Sequence, residues 1–477
     1  MSKVNEPKVN ILASLLAGCM VLLVLGGATL WGLEWWVDRA AWFVDPSWYR
    51  LEEGERVSLG CQRFRPTTFS RQPAPGVTRI LALGGSTVFG FPSRPVGDQP
   101  LTENIHGVIG VVQKALDSEW PRQFEVVNLG INGGGIVDTE RLLRRAEAWG
   151  ASALIVYDGN NEFLPVPSQF SAELWGYALY RQLSVALPRP TTSPGYVGPA
   201  AHGSPAHKKA ILSLFEDKLN AVIDLGLSAA LPVVVSTQAV NRIDVDPNWS
   251  TSGDEQHLAV SRTLSETQLT RAMEASPTSA DLLWERGRRE VDSEMDWLQA
   301  AVDHDGLQLR AGSEINEIIR HVGRREGVTL IDAAAVVADT EHVGGLFYDW
   351  VHPTPKGAEI IGRLLLEGLA QAEVIPFTPQ HVEQTRPPQD DLDEGVLRSA
   401  RSWLQWACVR QHDPEVRLTA ARSLLDSLGS ETSEAVASER DAILNVISSW
   451  GTRADISDEY RERLSQLHPC LELQLQR

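Results

Sequence analysis

TRILALGGSTVFG, residues 78–90, reads as a short apolar strand that runs directly into a glycine pair and a serine. A run of this length, with few polar positions and turn residues at its end, suits a strand covered on both faces, as strands of a parallel sheet are. Four further runs repeat the pattern at 125–129, 153–157, 232–237 and 328–331. Helical patterns lie between them; over 101–120, Ile105, Val108, Ile109, Val112, Ala115 and Leu116 share one face. This alternation predicts an α/β domain, a three-layer αβα, doubly wound, flavodoxin-like parallel sheet, with functional groups at the carboxyl ends of its strands.

The domain so defined spans 77–377 and carries two insertions. Residues 164–208 hold PVPSQF, LPRPTTSPGYVGP and HGSPAH, a Pro/Gly/Ser-rich stretch too long for a simple connection and suited to a loop near the site. Residues 251–306 are polar and helical in pattern, and ASPTSADLLWERGRREV within them is similar to one helix of a tetratricopeptide-like pair. A single unit with no repeat fits a solvated helical insertion; a lid or a partner-binding surface is the sharper alternative. The polar, Pro-containing segment 378–390 reads as a linker. Beyond it, 391–477 reads as a helical appendage, with DPEVRLTAARSLL at 413–425 opening on Asp-Pro like a helix start.

On the amino-terminal side, 45–76 is a mixed stretch rich in Pro and Arg, read as a stalk or a strap over the core. Residues 9–33 carry no charge and are long enough, as a helix, to cross a bilayer. Trp31, Trp35 and Trp36 lie where an aromatic belt would, and Lys3 and Lys8 precede the run, which predicts a cytosolic amino terminus and a single-pass inner-membrane protein with its catalytic domain on the periplasmic or extracellular side. A cleaved signal peptide would want a shorter apolar region. Leu16-Ala17-Gly18-Cys19 resembles a lipoprotein cleavage box, but the apolar run continues past Cys19, which otherwise is a small residue in a membrane helix.

A formal charge of −19 and a pI near 5.1 speak against nucleic acid and anionic headgroups as partners. Cys61, Cys408 and Cys470 allow at most one disulfide, and no CxxC spacing suggests a metal; no cofactor is expected. An acylated small molecule or carbohydrate fits this charge better, with the helical insertion or the tail as surfaces for protein partners.

Four short blocks carry the chemistry. The glycines before Ser86 let the chain turn sharply and expose a hydroxyl at a strand's carboxyl end. Asn128-Leu129-Gly130-Ile131-Asn132-Gly133-Gly134-Gly135 leaves backbone amides able to approach an oxyanion. Tyr157-Asp158-Gly159-Asn160-Asn161-Glu162 puts carboxamides at the same sheet edge, and an Asn can donate to developing negative charge. In Phe347-Tyr348-Asp349-Trp350-Val351-His352-Pro353, a carboxylate three residues before an imidazole can orient it toward a serine. Each block alone also suits an ordinary turn or loop; their order along one α/β chain does not.

Taken together, the blocks resemble the SGNH, or GDSL-like, hydrolases over 78–368, insertions excluded. The resemblance implies a nucleophile at Ser86, a base at His352, an acid at Asp349, and an oxyanion hole of the Ser86 amide, the Gly133 amide and Asn160, with Gly130 and Gly134 as alternatives to Gly133. It implies a membrane-anchored serine esterase acting through an acyl-enzyme, for instance on O-acetyl groups of a surface polysaccharide. An O-acyltransferase in polysaccharide modification and a non-catalytic scaffold are the alternatives. Gly85 stands where the family motif commonly has Asp, and Asn161 where its third block often has Asp. Arg310 is a candidate substrate contact, with a surface or ion-paired arginine as the plainer reading. His202, His207, His304 and His321 show no metal spacing and read as solvated.

Overall fold

An antiparallel hairpin, β1 (Arg56–Cys61) and β2 (Phe64–Ser70), precedes five parallel strands, β3 (Thr78–Gly84), β4 (Phe124–Gly130), β5 (Ala153–Tyr157), β6 (Val233–Ser236) and β7 (Val328–Ile331). The parallel strands form one sheet in the order β4-β3-β5-β6-β7. This computed structural model describes residues 56–61, 64–90, 107–146, 149–163, 205–247, 264–290, 295–306, 308–340, 345–379 and 433–449, with isolated positions between 396 and 428. All of them belong to one compact unit, Trp48–Pro165 with Pro194–Arg477.

Helices cover both faces of the sheet, and the alternation of side chains along the strands explains why the strand sequences are apolar throughout. Ile80, Ala82, Val126, Ile155 and Val234 share a core with α2 (Gly107–Glu119) and α10 (Pro355–Gln371). Gly368 of α10 lies so close that a Cβ there would stand 2.6 Å from Val234 Cγ1. On the other face, α4 (Pro205–Ser228) approaches at Gly226, where a Cβ would meet Val233 and Leu154, and α8 (Ser313–Gly323) approaches Leu330 at Gly323. The remaining helices are α1 (Ser86–Phe89), α3 (Ile136–Ala146), α5 (Glu266–Ala275), α6 (Ala280–Arg289), α7 (Trp297–Asp303), α9 (Ala333–Thr340) and α11 (Glu434–Ser449).

The five expected strands are present, shifted by at most a residue at either end. Of the expected 101–120 helix, α2 covers 107–119, with Val108, Ile109, Val112, Ala115 and Leu116 buried. The strap expected over 45–76 is in part a β-hairpin. Arg79, wholly buried in β3, joins that hairpin to the sheet: its guanidinium bonds Glu125 Oε2 at 2.8 Å and the Arg71 carbonyl at 3.0 Å, and lies 5.3 Å from the Phe69 ring centroid. The described part of the 251–306 insertion is helical as expected, but it is not merely solvated. Leu283, Trp284, Leu298 and Ala301 form a small core of their own, and Ile243 from the loop after β6 packs into it.

Among the described residues no helix is long and apolar enough to cross a membrane. The 9–33 segment, Cys19 and most of the 164–208 insertion and 378–390 linker lie outside the described residues. In the expected tail helix, Leu418, Ala421 and Leu425 are buried helical positions.

Candidate active site

Sheet register brings three of the blocks to one edge. Gly84 pairs with Gly130 on one side and with Tyr157 on the other, so the residues just past these three positions leave neighbouring strands side by side. The order β4-β3-β5 also makes the gap between β3 and β5 the point where the chain's winding reverses, the usual crevice for ligands in open α/β sheets.

Ser86 opens the one-turn helix α1, a place that only glycine neighbours permit. Gly84 has φ 155°, and a Cβ on it would lie 2.1 Å from the Tyr157 carbonyl oxygen. At Gly130 a Cβ would lie 2.1 Å from the Phe89 backbone nitrogen. Asn128 closes the turn: its Nδ2 donates to the Val88 carbonyl at 2.6 Å, and its Oδ1 accepts from the Gly130 amide at 2.9 Å. As the first residue of α1, Ser86 has an amide with no carbonyl to meet inside that helix.

Asp349 and His352 sit on a closed loop. Phe347 bridges Pro353, the Tyr348 amide donates to the His352 carbonyl at 2.8 Å, and Thr354 then caps α10, with Pro355 in its first turn. His352 Nε2 lies 2.8 Å from Ser86 Oγ, and His352 Nδ1 lies 2.6 Å from Asp349 Oδ2. Asp349 Oδ1 also accepts from the Val351 and His352 amides at 3.0 and 2.9 Å. Burial alone would raise the Asp349 pKa, but the facing imidazole and these donors outweigh it and hold the carboxyl below its ordinary value. An ionised Asp349 can only accept, so the imidazole hydrogen belongs on Nδ1, leaving Nε2 to accept from the Ser86 hydroxyl.

Asn160 is buried, its Oδ1 taking the Ala311 amide at 3.1 Å and its Nδ2 donating to Gln238 Oε1 at 3.0 Å. Gly133 has the left-handed φ of 66° in the turn before α3. The Gly134 amide donates to the Ile131 carbonyl at 2.9 Å, and the Gly130 amide donates to Asn128 Oδ1 at 2.9 Å.

The departures at Gly85 and Asn161 belong together. A Cβ on Gly85 would stand 2.8 Å from Asn161 Nδ2, and that nitrogen donates to the Gly134 carbonyl at 2.7 Å. Glycine at 85 thus leaves room for Asn161 to tie the loop after β5 to the loop after β4. Behind them lie Asp138, Asp158 and Glu162, all buried. Burial, with a smaller push from Asp138, raises the Asp158 carboxyl to about 7, although Thr139 Oγ1 at 2.6 Å and the Gly159 amide at 2.9 Å donate to it. Burial and the Asp158 charge raise Glu162 well above its ordinary value.

Arg310 takes the plainer reading, an ion-paired arginine. Its guanidinium is buried, paired with Asp305 at 3.1 Å and bonded to the Asn241 carbonyl at 2.7 Å. His304 is half-buried at the end of α7 rather than solvated, and His321 is exposed as expected; His202 and the His207 side chain lie outside the described residues. Among the described residues there is no cluster of metal-binding side chains. Three residues had no assigned role in the sequence reading: Asn128, Gln238 and Asn241, whose Nδ2 donates to the Asp349 carbonyl at 3.1 Å.

No protein-family model and no curated protein matches the chain. Solved structures similar to it include a protein designated a GDSL-like lipase from Parabacteroides merdae, at 11% identity and TM-score 0.34, covering 61% of this chain and 94% of that one. An acetylxylan esterase from Geobacillus stearothermophilus aligns at 13% identity and TM-score 0.33, over 62% and 96% of the two chains. An α/β hydrolase from the metagenome of Lake Arreo, Spain, aligns at 13% identity and TM-score 0.33, over 62% and 95%. Likeness at this level carries no argument about activity, which rests on the geometry above.

Proposed function

We propose that the chain is a serine esterase of SGNH type, anchored in the inner membrane by residues 9–33 and working on an acylated substrate outside the cytosol. The observation that carries the reading is the unbroken chain from Ser86 Oγ through the His352 ring to Asp349, with links of 2.8 and 2.6 Å. His352 Nε2 takes the hydroxyl proton as Ser86 Oγ attacks an ester carbonyl, and Asp349 steadies the imidazolium that forms. The Ser86 amide, the Gly133 amide and Asn160 stabilise the oxyanion. Collapse expels the alcohol, which takes its proton from His352 and leaves an acyl ester on Ser86. A water molecule, deprotonated by the same imidazole, then releases the carboxylic acid; a sugar hydroxyl in its place would give transfer.

The test is labelling of the chain by a fluorophosphonate probe, together with acetate release from an aryl acetate. The unsubstituted chain is expected to label and turn over. Ser86→Ala should lose the label and at least about a thousandfold in kcat. A folded, unsubstituted chain that neither labels nor turns over would support the scaffold alternative instead. Release of acetyl groups from acetylated polysaccharide, measured beside transfer to an added sugar, separates hydrolysis from transfer.

A further inference from the structure

Gln238 lies two residues past β6, buried to 1% exposure, with its side-chain oxygen on Asn160. We infer that Gln238 is a positioning residue for acyl transfer, holding the Asn160 carboxamide with its nitrogen toward the developing oxyanion. The inference rests on the serine-esterase reading and on Asn160 as an oxyanion donor.

The two ends of a carboxamide are nearly the same in shape, so hydrogen-bond partners decide which way it points. For Asn160 both partners agree. The Ala311 amide can only donate and therefore selects Oδ1, at 3.1 Å. Gln238 Oε1 can only accept and therefore selects Nδ2, at 3.0 Å. The Nδ2 group carries two hydrogens; Gln238 engages one, and the second remains for negative charge forming on a substrate. Without Gln238 the carboxamide loses the partner that selects its nitrogen end. A flipped Asn160 would present an oxygen to the oxyanion, and repulsion would replace attraction.

The surroundings hold Gln238 in turn. Its amide donates to Asn316 Oδ1 at 2.8 Å and its carbonyl accepts from Asn316 Nδ2 at 3.1 Å, so α8 grips its backbone at two points. Its own Nε2 faces the Ser236 carbonyl at 3.5 Å, which turns Oε1 toward Asn160. Gly159 has φ 138°, and a Cβ there would lie 3.2 Å from Gln238 Cγ and 2.9 Å from Ile315 Cγ2. The residue before Asn160 thus gives up its side chain where Gln238 packs. A neutral amide suits the position, because a carboxylate would also accept from Nδ2 but would set a negative charge beside the forming oxyanion.

The test is a double-mutant cycle of Gln238→Met and Asn160→Ala, reading kcat, KM and thermal melting with an aryl acetate. Gln238→Met is expected to lower kcat about 10- to 100-fold, with KM within about twofold, and to cause no further loss in the Asn160→Ala background. A loss of the same size in both backgrounds, or a lower melting temperature with unchanged kcat, would show a merely structural glutamine and overturn the inference. Should the Met variant fail to fold, Gln238→Ala removes the acceptor without adding a charge and runs through the same cycle. Its kcat loss must vanish when Asn160 is Ala, and persistence overturns the inference. An unsubstituted chain without label or turnover removes the esterase reading and this inference together; turnover with an additive cycle removes this one alone.

Discussion

Asp349 can be tested with a single atom. Asp349→Asn keeps the size of the side chain but can present an N–H to His352, favouring the tautomer in which Nε2 carries the hydrogen and cannot accept from Ser86. The expected result is a fall of about 10³- to 10⁴-fold in kcat with the melting curve little changed, measured on an aryl acetate. Ser86, Asp349 and His352 were legible in the sequence because each stands in a short block with its own spacing. Asn128, Gln238 and Asn241 were not. Their partners lie 40, 78 and 108 residues away, at Val88, Asn160 and Asp349, and no local pattern announces such a bond. The only trace is polarity where a strand end would otherwise be apolar.

At the scale of elements, α1 depends on the close passage of β4. Gly130→Ala should push Phe89 and the whole turn away from the sheet, costing about 1–3 kcal/mol in unfolding experiments and abolishing fluorophosphonate labelling in the fraction still folded. The loop after β5 carries a different liability. Asp158 has a folded pKa of about 7 against an unfolded value near 4, so its contribution to stability is complete below about pH 4 and is lost as pH rises toward 7. Asp158→Asn, which can still accept from the Gly159 amide and bond Thr139, should flatten that part of the stability profile. It should raise stability at pH 8 by on the order of 1–3 kcal/mol, as read from urea unfolding across pH. The strands were legible because burial on both faces leaves an apolar run with few breaks. The β1–β2 hairpin was not: a two-stranded ribbon bearing Pro66, Arg65 and two threonines has the composition of a loop.

Across the molecule, the loop after β6 is the common support. It meets Asn160 through Gln238 and the Asp349 loop through Asn241, whose amide also donates to the Trp350 carbonyl at 2.9 Å. The helical insertion braces this loop from outside: Trp284 Nε1 donates to the Arg242 carbonyl at 3.0 Å, and Arg242 pairs with Asp296 at 2.6 Å. Arg310 ties Asp305 to the Asn241 carbonyl. Arg310→Ala would strand a buried carboxylate and free the loop, at a cost of about 3–5 kcal/mol in urea unfolding and with lower turnover in the folded fraction. The insertion was legible as helix, but its bracing role was not, because its bracing contacts join Trp284 and Asp296 to Arg242, which lies 42 and 54 residues before them in the chain.

His352 reaches Ser86 across 266 residues of chain, whereas it reaches Asp349 across three. The serine is therefore made early and its proposed base late. A ribosome has translated β3 through β7 before the imidazole exists, so every shorter nascent chain carries an ordinary, unreactive hydroxyl. On the esterase reading, chemical competence arrives with the last core loop, after the sheet that must contain it, and a chain stopped anywhere before that loop is born silent.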